Sequence, residues 1–425
     1  MKILWLCNVP TEKISVYLGE KAQNFGGWLS GASEKLLEDN NIELGIVFPH
    51  KSKKVYRGNI GRLSYYSFYT NHDNCTYDSN LENVFSEIIQ QFTPDIIHIW
   101  GTEFPHSLAM AKVFDSQCLI VSIQGLCSVI ADHYMACLPP NALKYVTFRD
   151  ILKKDTLIKQ QIKFRIRGNF EKETLKLVSN VIGRTNWDRI CSKQINPKRN
   201  YFKCNETLRD IFYQNQGLWN PDFCEKNSIF VSQGSYPVKG FHFVIEALNI
   251  LVLKYPEIKL FVTGKDIFSL PWYRINGYQL YLKQKIEEYG LKKNIIFLGD
   301  LSAEKMCHTY LRSNVFICPS SIENSSNSIG EAMLLGMPVI SSYVGGSIDL
   351  IEHEKEGFLY PLDEPYILAH YIEKIFDNPN QAERIGTNAY GRAKIIHDKD
   401  VNCNQMKEIY TEILNEKRRY ILKCK

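Results

Sequence analysis

Short apolar runs alternate with amphipathic stretches along most of the chain. In the first half the runs read KILWLC, IELGIVF, DIIHIW, CLIVSI and NVIGRT. The stretches between them, such as WLSGASEKLLEDN and LENVFSEIIQQF, place apolar residues three and four positions apart, which predicts helices. Strands that are apolar on both faces are typical of a parallel sheet covered by helices. The pattern therefore predicts an α/β fold.

The alternation restarts in the second half, after the polar stretch YQNQGLWNPDFCEKN. The strands predicted there are SIFVSQG, KLFVTGK, NIIFLGD, NVFICPS, PVISSYV and GFLYP. We therefore expect two Rossmann-like, doubly wound parallel-sheet domains, at 1–213 and 228–396, and a helical segment at 397–425 that packs back toward the first domain. Ligands of such sheets bind beyond the carboxyl ends of the strands, so we expect a site where two domains face each other across a cleft.

Composition and charge exclude several classes of protein. A chain of 425 residues is too long for one ordinary core, which agrees with two domains. A net charge of +5 does not favour binding to nucleic acid. The first apolar run is too short for a signal peptide, and no run reaches the roughly 18 to 20 apolar residues of a membrane span. The twelve cysteines include no C-x-x-C pair and favour reduced thiols in the cytoplasm.

The segment 151–176 is strongly basic. Its isoleucines at 151, 158, 162 and 166 recur at helical spacing, while eight basic residues face three acidic ones. A basic amphipathic helix of this kind can lie on an anionic membrane surface. The alternative is a solvated helix face above an ordinary apolar stripe.

The stretch SSIENSSNSIGEAMLLGMPVI, residues 320–340, carries the chemistry that we consider most informative. The strand NVFICPS ends at Pro319, which lacks an amide donor. A polar loop then leads into the helix IGEAMLLG, which Gly336 closes. The amino end of that helix favours an anion such as a diphosphate. Small polar groups that let the anion approach are supplied by Asn324, Ser325, Ser326 and Asn327.

Two glutamates of this stretch have alternative interpretations. Glu331 is expected in the first turn of the helix, where its carboxylate could accept from two ribose hydroxyls. Because Ser328 lies three positions earlier, Glu331 could instead complete a capping box. Glu323 is expected in the loop, where it would face the group attached to the diphosphate. The alternative interpretation is that Glu323 is a solvated surface carboxylate.

These residues resemble a known family. Pro319-Ser320, the glutamates Glu323 and Glu331 with seven residues between them, Gly336 and Pro338-Val339 are similar to the E-x7-E signature of the retaining glycosyltransferases of family 4, which have the GT-B fold. The resemblance implies that Glu323 acts catalytically on the donor sugar and that Glu331 binds the ribose.

The resemblance extends to other segments. FGGWLSG is similar to the glycine loop of the first domain, and GGSIDLI to the glycine pair after the signature. YPVKGFHFVIEAL is similar to the segment that supplies a diphosphate-contacting lysine. PDIIHIWGTEF and GRTNWDR look like signatures of members that build polysaccharides. The donor-binding residues implied in this way are Gly26, Gly27, Lys239, Gly345 and Gly346.

The chain departs from the family pattern at two places. The family has an arginine before the lysine segment, where this chain has Gly234 and Ser235, and Arg184 is a candidate substitute. The family also has an active-site histidine after the fourth strand of the first domain. Here the candidates are Gln124 and His133. A lone histidine such as His133 or His98 is otherwise a hydrogen-bonded core or surface residue.

The resemblance implies transfer of a sugar from a UDP- or GDP-sugar to a hydroxyl of a glycan or lipid-linked acceptor, with retention, in polysaccharide biosynthesis. No cofactor and no metal are expected, since no D-x-D-like pair of carboxylates stands in a suitable place. The chain would act in the cytoplasm, with a peripheral membrane contact through 151–176. Two alternatives are a non-hydrolysing nucleotide-sugar epimerase and a catalytically silent GT-B sugar-binding partner.

Overall fold

The structure is a computed structural model that describes residues 1–21, 26–70 and 74–423. The chain forms two compact units. Unit 1 comprises Met1–Val129, Lys163–Thr207 and His397–Lys425, and unit 2 comprises Ile130–Ile162 and Leu208–Ile396.

Unit 1 is built on an eight-stranded sheet with the strand order β3-β4-β2-β1-β5-β6-β7-β8. All neighbouring strands are parallel except the β3–β4 hairpin. The five runs predicted from the sequence form β1, β2, β5, β6 and β7. The strands are β1 Lys2–Leu6, β2 Glu43–His50, β3 Arg57–Ile60, β4 Leu63–Tyr69, β5 Ile96–Trp100, β6 Leu119–Ser122, β7 Asn180–Gly183 and β8 Asn200–Lys203.

Unit 2 is built on a six-stranded sheet with the order β11-β10-β9-β12-β13-β14, and all of its neighbouring strands are parallel. Each of the six runs predicted for the second half contains one strand, so the fold class is confirmed. The strands are β9 Ser228–Val231, β10 Lys259–Val262, β11 Ile295–Phe297, β12 Val315–Cys318, β13 Val339–Ser342 and β14 Phe358–Tyr360.

Helices fill the connections between the strands. The crossovers between parallel strands require such helices, and their apolar faces cover the sheets. The helices are α1 Glu12–Tyr17, α2 Gly27–Leu37, α3 Asn80–Phe92, α4 Pro105–Val113, α5 Cys127–His133, α6 Phe148–Leu152, α7 Leu157–Leu177, α8 Asn186–Ile195, α9 Asp210–Gln214, α10 Phe241–Leu251, α11 Gly277–Glu288, α12 Ala303–Leu311, α13 Asn327–Leu335, α14 Ser347–Leu350, α15 Pro365–Asp377, α16 Pro379–Ile396 and α17 Lys399–Lys423. No described helix is both long and apolar enough to cross a membrane.

The sheet of unit 1 is buried on both faces, as its apolar strands require. Successive side chains of a strand point to opposite faces. In β1, Ile3 and Trp5 belong to one buried cluster, whereas Leu4 and Leu6 belong to another. The sheet therefore separates two cores.

The carboxyl-terminal helix α17 is part of unit 1. The indole of Trp5 donates to the hydroxyl of Tyr410 at 3.1 Å, and that hydroxyl lies 2.6 Å from Nδ1 of His98. Nε2 of His98 lies 2.7 Å from the hydroxyl of Ser122. Burial lowers the pKa of His98 to about 3, so the ring is neutral. His98 is thus a hydrogen-bonded core residue, the alternative considered for a lone histidine.

The division into units differs from the expected boundaries. The longer segment of unit 2 begins at Leu208, whereas the second domain was expected to begin at 228, and unit 2 also includes 130–162, which was expected in the first domain. The first difference has a clear cause in packing. Helix α9 lies against α12 and α13, and its Phe212 is buried against the ring of Tyr310 with ring centroids 5.8 Å apart.

The basic segment 151–176 is not one helix. Helix α6 ends at Leu152 and α7 begins at Leu157, and the positive φ of Lys154 lies between them. The isoleucines expected to form an apolar stripe are largely exposed. Ile151 is 68% exposed, Ile158 51% and Ile162 44%. The segment is therefore two helices rather than one, and these three isoleucines do not form the ordinary packed stripe of the alternative interpretation.

Candidate functional site

The signature stretch forms a loop and a helix at the carboxyl end of the unit 2 sheet. Strand β12 ends at Cys318, and α13 begins at Asn327 with Ser326 as its N-cap. Within the described chain the Ser326 side chain makes no capping hydrogen bond. Gly336 closes the helix in the left-handed conformation, as the sequence predicts. The amino end of α13 therefore keeps the positive dipole end that favours an anion.

Glu331 lies in the second turn of α13 rather than in the first turn, because the helix begins at Asn327. Its carboxylate is buried and receives two hydrogen bonds from the guanidinium of Arg209, each 2.8 Å long. Ser328 lies inside the helix, so the capping-box interpretation is wrong. Burial raises the pKa of Glu331, and the charge of Arg209 opposes that rise.

Sequence reasoning missed Arg209. This residue is the N-cap of α9, and its guanidinium lies 4.9 Å from the ring centre of Phe212. Arg209 and Glu331 are 122 positions apart, and no local sequence pattern predicts a contact between them. A basic residue in the connection that leads into unit 2 was the only available signal.

Lys239 and Glu323, both expected in the site, are in direct contact. Nζ of Lys239 lies 2.8 Å from Oε2 of Glu323, and the hydroxyl of Ser320 donates to the same oxygen at 3.0 Å. Burial disfavours the charge of Lys239, but the Glu323 carboxylate outweighs burial and raises the pKa of Lys239 above its ordinary value. Glu323 is therefore not a merely solvated surface carboxylate.

Two glycines bring three loops of unit 2 together. Gly240 has a φ of 68°, and a Cβ there would lie 1.8 Å from the carbonyl oxygen of Pro319. Gly345 has a φ of 51°, and a Cβ there would lie 2.0 Å from the carbonyl oxygen of Glu323. The amide of Gly346 donates to that same carbonyl at 2.9 Å. The loops that carry Lys239, Glu323 and the glycine pair therefore touch through their backbones.

The remaining polar residues of the loop are partly buried. Asn324 and Ser325 are buried, whereas Ser326 and Asn327 are half-buried at the start of α13. Oδ1 of Asn327 is buried and accepts no hydrogen bond from the described residues. An amide group at the first position of the helix could therefore accept a hydrogen bond from a ligand.

The glycine at position 234 has a packing explanation. A Cβ at this position would lie 2.9 Å from the ring of Phe241 and 3.1 Å from a methyl group of Val262. Phe241 thus occupies the space that the arginine expected near this position would need. Any phosphate contact from an arginine must come from elsewhere in the chain.

The residues considered as substitutes for the family's arginine and active-site histidine lie in different units. Arg184 and Gln124 belong to unit 1, where Glu206 joins them. Arg184 donates to Glu206 at 2.6 Å and to the carbonyl of Gln124 at 3.2 Å, and the Gln124 amide also donates to Glu206. His133 is an exposed residue at the end of α5, and its carbonyl accepts from the Ser321 hydroxyl at 2.9 Å. Of these candidates, His133 is the one that lies beside the Glu323 loop within unit 2.

The glycine loop of unit 1 falls partly outside the described residues, since Phe25 is not among them. Gly26 has a φ of 78° and precedes α2, whose first residue is Gly27. A Cβ at position 26 would lie 2.7 Å from a methyl group of Val9. Gly26 therefore allows a close approach between the loop that follows β1 and the start of α2.

Unit 1 also contains a cavity of about 30 Å³ at the carboxyl edge of its sheet. This volume has room for about two water-sized groups. Two buried donors that line it, Nε1 of Trp100 and Nε of Arg184, lack a hydrogen-bond partner among the described residues. The rings of Trp28 and Trp100 border the cavity with centroids 5.0 Å apart. The cavity therefore suits a hydroxyl or hydroxymethyl group and is too small for a whole sugar ring.

Comparisons with known proteins agree with this fold. A sucrose-phosphate synthase from Thermosynechococcus elongatus has a TM-score of 0.71 at 17% identity, covering 98% of this chain and 100% of that chain. Anabaena Alr3699/HepE, solved in complex with UDP-glucose, has a TM-score of 0.65 at 18% identity, covering 97% and 100%. The fold is therefore the GT-B architecture of two parallel-sheet α/β domains.

Residues 221–392 match the family model described as Glycosyl transferases group 1. Spore coat protein SA of Bacillus subtilis (strain 168) is 26% identical over 165 residues, which are 38% of this chain and 42% of that protein. The capsular polysaccharide biosynthesis glycosyltransferase CapM of Staphylococcus aureus is 26% identical over 183 residues, 42% of this chain and 44% of CapM. The chain thus spans less than half of either relative. The matched segment contains Lys239, Glu323 and Glu331, and it is similar to the group 1 glycosyltransferases.

Glu103, which follows β5, is a further group that sequence reasoning did not single out. Burial raises the pKa of Glu103 to about 7, with Glu171 adding to the rise and Arg167 opposing it. Oε2 of Glu103 lies 3.4 Å from the side-chain amide of Asn8. Because the raised pKa means that the folded state holds the proton more tightly, stability should fall as the pH rises from about 4.5 to about 7.

We expect Glu103→Gln to raise the melting temperature at pH 8 and to leave it nearly unchanged at pH 4.5. Deprotonation of the Glu103 carboxyl destabilises the folded wild type at a pH above the pKa of that group. The amide of the variant carries no charge, so it avoids this loss of stability. Thermal unfolding at several pH values measures the difference. Glu87→Gln, at an exposed position on α3, is the control and should give the same small shift at every pH. A pH-independent effect of Glu103→Gln would contradict the assignment.

Proposed function

We propose that the chain is a retaining glycosyltransferase of family 4 that transfers a sugar from a nucleotide-sugar to a hydroxyl of a glycan or lipid-linked acceptor. The observation that carries the proposal is the contact between Lys239 and Glu323, 2.8 Å apart, beside the amino end of α13. Both residues lie in the segment that matches the glycosyltransferase family model.

The diphosphate of the donor would bind at the amino end of α13. The dipole of the helix, the charge of Lys239 and the nearby backbone amides would stabilise the negative charge that grows on the leaving diphosphate. The raised pKa keeps Lys239 protonated for this role. We propose that these groups replace a divalent cation, so that no metal is needed.

Glu331 would bind the ribose. Each carboxylate oxygen can accept more than one hydrogen bond, so the two bonds from Arg209 leave acceptor capacity for the ribose hydroxyls. Arg209 would fix the orientation of the carboxylate and oppose its protonation. In this role Arg209 is a positioning residue.

Glu323 would bind hydroxyls of the donor sugar, with His133 or Gln124 assisting near the same sugar. Retention by double displacement would require a carboxylate on the opposite face of the sugar, and neither Glu323 nor Glu331 is assigned to that place. We therefore propose front-face attack. The bond from the anomeric carbon to the phosphate oxygen breaks while the acceptor oxygen bonds to that carbon, and the leaving phosphate takes the acceptor's proton.

Unit 1 would bind the acceptor. Its cavity, with the unpartnered donors of Trp100 and Arg184 and two tryptophan rings, suits a hydroxyl-bearing group of a glycan. The names of CapM and of the HepE complex support polysaccharide biosynthesis and a UDP-sugar donor. We propose a cytoplasmic location, which the free thiols of the described cysteines support.

Incubation with radiolabelled UDP- and GDP-sugars tests the function. A thermal-shift panel first selects the donor, because a ligand that binds the folded state raises the melting temperature. We expect label to appear in the acceptor only when both substrates are present. Epimerised donor without an acceptor would identify an epimerase, and binding without transfer or epimerisation would identify a silent partner. Either result would overturn the proposal.

We expect Glu323→Gln to remove most of the turnover while leaving affinity for the nucleoside diphosphate nearly intact. The amide would accept weaker hydrogen bonds from the sugar than the carboxylate does, whereas the nucleotide is assigned to Lys239, Glu331 and the amino end of α13. Steady-state transfer rates and calorimetric binding measure the two effects. Glu257→Gln, at an exposed position of unit 2, is the matched control. A near-normal rate in Glu323→Gln would reject the assigned role.

The ribose assignment can be tested through the ligand. Wild-type protein should bind the selected nucleoside diphosphate about 1 to 3 kcal/mol more tightly than its 2′,3′-dideoxy analogue, since the analogue leaves a buried acceptor unpaired. Glu331→Gln should reduce this difference. Calorimetry on the folded variant measures both affinities, so a general loss of stability does not imitate the result. An undiminished preference in the variant would exclude Glu331 as the ribose ligand.

A further inference from the structure

The short helix α6 has an inverted polarity. Its buried side is polar, because Asp150 is 1% exposed and the N-cap Thr147 is 7% exposed. Its exposed side is apolar, with Phe148 54%, Ile151 68% and Leu152 72% exposed. A helix on the surface of a globular protein normally shows the opposite arrangement. This inversion indicates that the outer face of α6 meets something other than water.

The orientation of α6 is fixed by hydrogen bonds. The Asp150 carboxylate accepts from the backbone amide of Gly277 at 2.7 Å and from the amide of Thr147 at 3.2 Å. The Thr147 hydroxyl accepts from the amide of Asp150 at 3.2 Å, which completes a capping box. Arg149 pairs with Asp150 and with Asp155. Rotation of α6 to hide its apolar side would break this network.

Aromatic side chains extend the apolar surface. The ring centroids of Phe148 and Trp272 are 5.5 Å apart, and those of Trp272 and Tyr273 are 6.0 Å apart. Trp272 is 71% exposed. We call this surface, formed by Phe148, Ile151, Leu152, Trp272 and Tyr273, the α6 patch. Tryptophan and tyrosine are the residues enriched where membrane proteins meet the lipid headgroups.

The chain around α6, residues 143–159, is mostly basic. The exposed lysines of this segment are Lys144, Lys153, Lys154 and Lys159, and none forms an ion pair within the described part of the chain. The acidic residues of 143–159 are Asp150 and Asp155, and both pair with Arg149. A symmetric contact with a second copy would place these lysine clusters together, which like charges oppose. An apolar surface whose flanking sequence carries exposed, unpaired lysines instead complements an anionic lipid surface.

We propose that the α6 patch docks the chain on an anionic bilayer, with its apolar side chains in the headgroup region and the four lysines on the lipid charges. The purpose of this contact rests on the proposed function, because the contact would hold the enzyme at the membrane surface that carries a lipid-linked acceptor. It replaces the broader expectation for 151–176, because Lys172 and Lys176 lie in unit 1 and away from the patch in sequence.

Sedimentation of the full chain with vesicles tests the proposal. Vesicles of phosphatidylcholine with 30 mol% phosphatidylglycerol should retain the protein at low ionic strength, whereas pure phosphatidylcholine should not. Replacing Lys144, Lys153, Lys154 and Lys159 by Gln should lower the partition coefficient at least about tenfold. The matched control replaces the exposed lysines Lys172, Lys176, Lys193 and Lys198 by Gln and should leave binding nearly unchanged. Equal losses in both sets would overturn the assignment to the patch.

A second variant tests the apolar contribution. Leu152→Ser combined with Trp272→Ser should abolish binding to the anionic vesicles, and Leu253→Ser, at a position 86% exposed elsewhere in unit 2, should not. Unchanged binding of the double variant would overturn the proposal. The proposal would also be overturned if the wild type bound no vesicles but formed a dimer, and if the double variant were a monomer. Nucleotide-induced thermal shifts and transfer to a water-soluble acceptor report separately on the proposed function, so its failure is distinguishable from a failure of membrane docking.

Discussion

The contact between Lys239 and Glu323 depends on backbone approaches that only glycine permits. Gly240 lies against the carbonyl of Pro319, and Gly345 lies against the carbonyl of Glu323, so any side chain would force the loops apart. The ion pair itself adds little net stability, because both side chains are mostly removed from water and the cost of desolvating their charges offsets much of their attraction. The chain thus places two glycines in the left-handed conformation to hold a pair that adds little to stability. Such an arrangement is more readily understood as chemistry than as a stabilising device.

The pair of Arg209 and Glu331 follows a different balance of energies. Both groups are removed from water, and the cost of desolvation can match or exceed their mutual attraction. An apolar pair of the same size would serve the packing of α9 on α13 at least as well. A charged carboxylate in the second turn of α13, held by two parallel hydrogen bonds, has a use only if something else requires its charge or its acceptors. The ribose role that we propose would meet that requirement.

Local patterns predicted the sheets well, because a continuous run of apolar residues such as that in NVFICPS by itself indicates a buried strand. They located the glutamate of α13 one turn too early, since the helix was expected to begin after Ser328, whereas its N-cap is Ser326. The link from Arg209 to Glu331 could not be predicted, because two residues 122 positions apart meet only after unit 2 has folded. From the sequence, the glycine at 234 indicated only the loss of a phosphate-contacting arginine. The packing reason for the glycine, the ring of Phe241, is visible only in three dimensions.

The inverted polarity of α6 shows why exposed apolar residues need not be an error of folding. Burying a side chain such as Leu152 or Trp272 would gain about 1.5 to 3 kcal/mol. Turning α6 inward would, however, expose Asp150 and leave the amide of Gly277 without its acceptor, and a buried unpaired amide costs about 1 to 3 kcal/mol. A Cβ at Gly277 would also lie 1.9 Å from the carbonyl of Tyr145, so the two segments meet through backbone alone. The buried network therefore decides the orientation, and the apolar face is left for an external surface to cover.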